Sequence, residues 1–256
     1  MVKRRLLGIS LPRDLQFAIA LARIRKLAAV TRSAEYRRAL RRGVAAGIEH
    51  EHVPFVNAAT VIDVGANRGQ FSLVARMRFP RATLHAFEPQ PAAARILAGL
   101  FDDDAAIHVH TIALGASSGE RELHVARADD SSSLLAPTAM QERIFRGTDE
   151  IGRIRVPSER LDTVLPPAGI TQPCLLKIDV QGSELDVLRG AEGTLAAVDQ
   201  IYVECSFTEL YAGQALADEI IAHLRARGFR LAGIFHPTYD GDGACVQADF
   251  LFDSSS

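Results

Sequence analysis

Short apolar runs alternate with segments of helical spacing through most of the chain. Residues 60–64 form a β-branched apolar run, typical of a strand that is buried on both faces. Similar runs occupy residues 82–87, 107–114, 174–178 and 201–205, and helical spacing is found over residues 71–79, 90–102, 183–197 and 216–227. The alternation predicts a doubly wound α/β fold, in which a parallel sheet carries helices on both faces.

The end of the chain predicts a hairpin. Residues 229–235 and 245–252 are strand-like, and the nine residues between them are too few for a crossover helix. The last strand is therefore expected to run antiparallel, as the seventh strand of the sheet. Earlier, short extra strands are expected at residues 120–126 and 154–157. The long loop between them, residues 127–152, is interpreted as a lid or substrate gate.

The turn after the first strand is the strongest candidate site. It has the sequence Asp63-Val64-Gly65-Ala66-Asn67-Arg68-Gly69. Gly65 and Gly69 permit positive φ and let a ligand approach the backbone. Asn67 stands where the dinucleotide pattern G-x-G-x-x-G has its middle glycine, and Asp63 favours a ligand with a positive group, such as S-adenosylmethionine (SAM). A turn without a ligand and a nicotinamide-dependent oxidoreductase are the alternatives at this point.

Two further positions complete an expected adenosine site. Glu88 follows the second strand, 23 residues after Gly65, and precedes Pro89. A carboxylate at this place accepts hydrogen bonds from both ribose hydroxyls. Ala113 and Leu114 end the third strand beside the expected adenine position, where small and apolar side chains suit a flat ring.

Candidate catalytic residues lie on later strands. Asp179 ends the fourth strand, which in a doubly wound sheet neighbours the first strand at the ligand-binding crevice. Glu204 is near the end of the fifth strand, and His236 begins the hairpin loop with a side chain that titrates near neutral pH. All three are candidates to contact the acceptor or to take its proton. A structural acid or a loop histidine without a role is the rival interpretation for Glu204 and His236.

The sequence resembles the FkbM family of SAM-dependent methyltransferases over roughly residues 59–252. The motifs that carry the resemblance are Asp63-Val64-Gly65-Ala66-Asn67-Arg68-Gly69, Phe87-Glu88-Pro89, Leu176-Lys177-Ile178-Asp179-Val180-Gln181-Gly182-Ser183-Glu184, Val187-Leu188-Arg189-Gly190-Ala191 and Ala248-Asp249-Phe250. The resemblance implies a Rossmann-like seven-stranded methyltransferase sheet with SAM as cofactor. It also implies O-methylation of a sugar, glycolipid or natural-product hydroxyl.

Charge divides the chain into a basic beginning and an acidic remainder. Residues 1–42 contain 12 Lys and Arg against Asp14 and Glu35, although the whole chain has a net charge of −2. We expect a basic helical extension over residues 1–52, helical from about 13 to 48, before a methyltransferase domain at 53–256. The extension packs on the domain with a solvated basic face, or it makes a peripheral membrane contact through residues 1–48. A non-catalytic adapter that binds anionic surfaces is the corresponding alternative function.

Several other partners are not expected. Aromatic residues are scarce in the basic segment and no recognised module is present, so nucleic acid is not a predicted partner. The three cysteines form no C-x-x-C pair, and neither a membrane span nor a signal peptide is recognised, which indicates a cytoplasmic location. No carboxylate or cysteine accompanies His50 and His52, or His108 and His110, at ligand spacing. Packing or surface histidines are therefore preferred to a metal site.

Overall fold

The computed structural model describes residues 33–255, which contain two β-sheets. The strands are β1 (Thr60–Val64), β2 (Thr83–Phe87), β3 (Ile107–His110), β4 (Ala113–Leu114), β5 (Gly119–Ala126), β6 (Glu150–Glu159), β7 (Cys174–Ile178), β8 (Gln200–Ser206), β9 (Phe229–Tyr239) and β10 (Cys245–Ser254). The seven-stranded sheet has the order β3-β2-β1-β7-β8-β10-β9, and β10 is antiparallel to both of its neighbours. The predicted sheet and its antiparallel last strand are confirmed.

Both faces of the main sheet are covered. Every residue of β1 and β7 is buried, as expected for strands at the centre of a doubly wound sheet. Ile62 and Val64 join one apolar cluster and Val61 joins another, because successive side chains of a strand point to opposite faces. The carboxyl ends of β1, β2 and β7 consequently meet at one edge, where ligands bind in this class of fold.

The helices connect these strands in the predicted order. They are α1 (Ala34–Arg41), α2 (Gln70–Arg78), α3 (Pro91–Leu100), α4 (Ala139–Ile144), α5 (Leu161–Val164), α6 (Glu184–Arg189) and α7 (Ala217–Arg225), with 3-10 turns at Ile48–His52, Asp129–Ser131, Pro167–Gly169 and Thr194–Ala197. The helix expected over residues 183–197 is wrong beyond α6, and the Ser183 side chain makes no capping hydrogen bond. The chain leaves the helix at Gly190, where a Cβ would lie 2.0 Å from the Gly115 carbonyl oxygen.

Two more predicted elements differ from the structure. The third strand was expected to run over residues 107–114, but it ends at His110, and β4 belongs to the small sheet β4-β6-β5. β4 pairs with β6, and it therefore belongs to the small sheet and does not extend β3 in the main sheet. The long loop is shorter than predicted because β6 begins at Glu150, and the remainder contains the 3-10 turn at Asp129–Ser131 and helix α4.

The basic segment is described only from residue 33. Of the helix expected over residues 13–48, the described part contains α1, which ends at Arg41; residues 13–32 lie outside the described range. Gly43, with φ of +78°, stops the helix, since it donates back to the Leu40 carbonyl in a left-handed cap. Tyr36 is buried in a cluster with residues of α2, and Arg38 pairs with Asp102 at 3.3 Å. In this part the helix packs on the domain through Tyr36 and Ala39 while its arginines are exposed, and the boundary at residues 52 and 53 stays a prediction.

Candidate active site

The glycine turn is shaped by close contact between β1 and β7. Gly65 has φ of +76°, and a Cβ on it would lie 1.8 Å from the Asp179 carbonyl oxygen. Gly69 has φ of +97° and begins α2. Between them Asn67 has φ of +47°, and its side-chain Oδ1 is buried without a hydrogen-bond partner. A buried, unpaired acceptor is costly by itself and is expected where a ligand donates to it.

Glu88 closes the turn from the end of β2. One carboxylate oxygen accepts from the Asn67 backbone N–H at 2.8 Å, and the other accepts from the Gln90 N–H at 2.7 Å. Burial raises the pKa of Glu88 to about 7, although these two hydrogen bonds act in the opposite direction. The carboxylate is therefore held firmly and lies close to its ionisation point at neutral pH.

Asp63 is buried beneath the turn and is paired within the protein. Its carboxylate lies 3.2 Å from Lys177 Nζ and accepts a 2.6 Å hydrogen bond from the Ser72 hydroxyl. Lys177 also donates to the Gly65 carbonyl oxygen at 3.2 Å. Burial alone would lower the pKa of Lys177, but the charges of Asp63 and Asp179 outweigh it and raise that pKa. This buried ion pair fixes the turn to β7 from below.

A cleft of about 550 Å³, including its open mouth, lies above the turn. The predicted residues that line it are Gly65, Asn67, Glu88, Pro89, Ala113, Leu114 and Asp179. Ala113 and Leu114 reach it from β4 in the small sheet, where both are buried. The lining does not contain Asp63, Ala66, Gly69, Glu204 or His236. The cofactor residues expected from the sequence thus divide into a lining group and a supporting group beneath it.

The side chain of Gln181 joins the two acids at the ends of β7 and β8. Its amide nitrogen donates to Asp179 Oδ1 at 2.8 Å and to Glu204 Oε2 at 3.0 Å. Its amide oxygen accepts from the Tyr211 hydroxyl at 2.9 Å. Burial and the neighbouring carboxylates raise the pKa of Glu204 well above its usual range. Glu204 therefore reaches the cleft through Gln181, whereas Asp179 lines it directly.

The first part of the predicted lid forms one wall of the cleft. Arg68 of the glycine turn pairs with Asp129 at 2.6 Å, which ties the 3-10 turn at Asp129–Ser131 to the cofactor side. On the other side the Ser133 hydroxyl donates to the Gln181 carbonyl at 2.6 Å, and the Tyr211 hydroxyl oxygen lies 3.0 Å from the Ser131 carbonyl oxygen. Residues 129–134 contribute several side chains to the cleft wall. Their role as a substrate gate stays a prediction.

His236 lies outside the cleft, in a cluster with residues that come from three other parts of the chain. Its Nδ1 is 2.8 Å from Asp249 Oδ2 and 3.1 Å from the Tyr202 hydroxyl. His50 Nδ1 is also 3.1 Å from that hydroxyl. No carboxylate stands at ligand spacing from His50 in the sequence, and Asp249, nearly 200 residues away, is brought close to it by the fold.

Lys177 is the main site residue for which the sequence predicted no role. A lysine within the apolar run Leu175-Leu176-Lys177-Ile178 indicates a buried ion pair, because a buried ammonium needs an acid beside it. Its partner follows from the strand register, in which Asp63 and Lys177 are adjacent. If the sequences of β1 and β7 are aligned in this parallel register, the ion pair is predicted.

Comparison with solved structures identifies the fold. A solved structure of a methyltransferase FkbM from Methylobacillus flagellatus superposes with a TM-score of 0.52 at 15% identity, covering 81% of this chain and 46% of that one. The chain thus spans less than half of that protein, and the likeness shows the fold.

Curated relatives are more similar in sequence. The 2-O-methyltransferase NoeI of Sinorhizobium fredii is 30% identical over 189 residues, covering 71% of this chain and 76% of NoeI. The 31-O-demethyl-FK506 methyltransferase FkbM of Streptomyces tacrolimicus is 29% identical over 202 residues, with coverage of 71% and 76%. The profile of the methyltransferase FkbM domain matches residues 63–231, from the acid beneath the glycine turn into β9. The chain therefore belongs to the FkbM family of methyltransferases.

Proposed function

We propose that this methyltransferase transfers a methyl group from SAM to a hydroxyl oxygen of a sugar, glycolipid or natural-product acceptor. The observation that carries the proposal is the convergence of Glu88, the unpaired Asn67 Oδ1 and Asp179 on one cleft. Family membership makes the protein a SAM-dependent methyltransferase and replaces the alternatives of an oxidoreductase and a non-catalytic adapter. The names of two relatives specify transfer to oxygen, which supports the same reaction here.

The residues of the cleft fit SAM. Glu88 presents an acceptor for the ribose hydroxyls, and Ala113 and Leu114 supply an apolar wall for adenine. The unpaired Asn67 Oδ1 offers an acceptor to a donor group of the ligand. Asp63 was predicted to hold the ammonium of SAM, directly or through water. Because Asp63 is buried and paired with Lys177, it supports the SAM site indirectly, by keeping the Gly65 carbonyl and the turn in place.

The acceptor end of the reaction is assigned to Asp179. When bound, SAM supplies a methyl group on a positively charged sulfur, which leaves as a neutral thioether. The protein aligns the acceptor hydroxyl and excludes water, because the leaving group needs no further activation. Asp179 lines the cleft with its side chain partly exposed, and it is oriented by Gln181. It is placed to accept a hydrogen bond from the acceptor hydroxyl and to receive its proton as the C–O bond forms.

Glu204 and His236 are weaker candidates for the base. Glu204 is held by Gln181 and Gln247, so its contribution is to orient Gln181 and, through it, Asp179. His236 is engaged by Asp249, which raises its pKa and favours the protonated imidazole. A base role for His236 requires the acceptor to extend beyond the cleft toward β9. Both roles stay predictions.

Membrane contact is a separate part of the proposal. Among residues 33–255, no helix has the length and apolar character needed to cross a membrane. A peripheral contact through residues 1–48 would bring the enzyme to a glycolipid acceptor, and most of that segment lies outside the described range. The basic composition of residues 1–42 supports it.

The affinity for SAM is expected to fall as the pH is lowered from 8 to 6. Glu88 titrates at a pKa of about 7, and only its carboxylate accepts both ribose hydroxyls. The ionised fraction then decreases roughly tenfold over this range, and Kd rises in proportion. Titration calorimetry at several pH values measures the change.

The Glu88→Gln variant is the control for this pH dependence. It retains the size of the side chain and removes the ionisation, so its Kd should be weaker at pH 8 and flatter with pH. The amino group of SAM titrates equally in both experiments and cancels in the comparison. Parallel pH profiles for the two proteins would show that Glu88 does not contact the ribose.

The acceptor class is tested by transfer from SAM that carries a deuterated methyl group. The purified full-length protein is offered glycosides, glycolipids and hydroxylated natural products, and products are identified by mass spectrometry and NMR. We expect a labelled O-methyl ether together with S-adenosylhomocysteine in equal amounts. Label on nitrogen or carbon, or transfer that ignores all hydroxylated acceptors, would contradict the proposal while leaving SAM binding intact.

A further inference from the structure

His50, His236 and Asp249 form a compact group of metal-ligand side chains outside the cleft. They come from the 3-10 turn at Ile48–His52, from β9 and from β10. One potential ligand atom from each lies within 4.8 Å of the others. Two imidazoles and a carboxylate are a donor set typical of first-row transition metals.

The outer contacts of His236 orient it as metal-bound histidines are oriented. Its Nε2 lies 3.1 Å from the Glu49 backbone carbonyl, an acceptor, so Nε2 carries a hydrogen and donates it. The opposite nitrogen, Nδ1, then faces Asp249 Oδ2 at 2.8 Å. A backbone carbonyl on the far ring nitrogen is the usual second contact of a metal-ligating histidine.

Tyr202 provides a fourth oxygen, which lies within hydrogen-bond distance of all three side chains. Its hydroxyl is 2.7 Å from Asp249 Oδ2 and 3.1 Å from the Nδ1 atom of each histidine. The Tyr202 ring is 1% exposed and packs edge-on against Phe55 at 5.1 Å. This oxygen therefore has little freedom to move away from the three ligands.

The backbone at His236 is held in an unfavourable conformation. Its φ is +47°, although the residue lies within β9 and is not glycine. Such a conformation persists where the surrounding contacts enforce it, and it is frequent at ligand sites. About a third of the side chain, 35%, remains exposed, which leaves a path for a cation to enter.

We propose that His50, His236 and Asp249 bind a divalent transition-metal cation of the Zn²⁺ class, with the Tyr202 hydroxyl as a fourth oxygen donor. The cation would join the segment before β1 to the final hairpin, and so fix the N-terminal turn at Ile48–His52 against the edge of the sheet. Mg²⁺ is not expected, because it prefers an all-oxygen octahedral shell. This site is independent of the proposed acceptor.

The test begins with the full-length protein after treatment with a chelator. We expect calorimetry to show one Zn²⁺ per chain with a Kd in the micromolar range or below, no comparable binding of Mg²⁺, and a rise in Tm on adding Zn²⁺. Co²⁺ should give the visible absorption of a four-coordinate nitrogen and oxygen site. Absence of tight Zn²⁺ binding to the wild type overturns the proposal, and the group is then a hydrogen-bond network.

Variants locate the site. His50→Gln and His236→Gln should each weaken Zn²⁺ binding by about 100-fold or more, since a direct ligand contributes more than an outer-shell partner. His52→Gln is the matched control, because His52 lies exposed on the same 3-10 turn and is not part of the group. Circular dichroism checks that each variant is folded. If His52→Gln weakens binding as much as His50→Gln, or neither ligand variant does, the site is elsewhere and the proposal fails.

Discussion

Replacing Lys177 with methionine is expected to lower the free energy of unfolding by about 3–5 kcal/mol, the usual cost of leaving one partner of a buried ion pair alone. Lys177 and Asp63 side chains are 7% and 1% exposed, so water cannot solvate the carboxylate that remains. The Ser72 hydroxyl would be its one strong partner among the contacts described. Urea denaturation at pH 7 measures the loss, and at that pH the lysine is fully charged.

A double variant separates charge from packing. Asp63→Asn combined with Lys177→Met removes both charges, so it should recover a substantial part of the lost stability. The single Asp63→Asn change should be costly too, because it leaves the ammonium with the partly exposed Asp179 as its nearest acid. If the double variant is no more stable than Lys177→Met, the lysine acts by filling space and by donating to the Gly65 carbonyl.

The pattern of apolar runs was sufficient to predict the main sheet. β1 and β7 are covered on both faces, so their sequences are mainly apolar, and the charged residues within them, Asp63 and Lys177, pair with each other. The short loop of the final hairpin fixed its direction because no crossover fits within it. The ends of these strands place Glu88 and Asp179 at one edge, so much of the cleft was predictable from the same information.

The remainder depends on contacts that local patterns do not contain. The ion pair of Asp63 and Lys177 follows from the register of two strands more than 100 residues apart. The group around His50 requires the position of β10 beside β8 and the course of the segment before β1. β4 leaves the main sheet because β6 lies beside it, a preference set by tertiary pairing rather than by its own two residues.

Replacing Gly65 with alanine is expected to weaken SAM binding by about 100-fold or more, the order of effect that a displacement near 1 Å has on an aligned site. The new Cβ would lie 1.8 Å from the Asp179 carbonyl oxygen, which is backbone and has no side-chain freedom to move away. β1 and β7 must then separate at their carboxyl ends, where the turn, Asp179 and the Lys177 contact to Gly65 all meet. Stability should also fall, and calorimetry with SAM and urea denaturation measure the two losses.

Gly213→Ala is the matched control for Gly65→Ala. Both glycines have φ of +76°, but a Cβ on Gly213 meets no atom within 4 Å. The control therefore carries only the conformational cost of a left-handed alanine, about 1–2 kcal/mol, and should leave the affinity for SAM unchanged. The difference between the two variants isolates the contact between the turn and Asp179. If both variants lose the same stability and both bind SAM as tightly as the wild type, Gly65 is needed only for its backbone conformation. The cofactor would then bind away from the glycine turn.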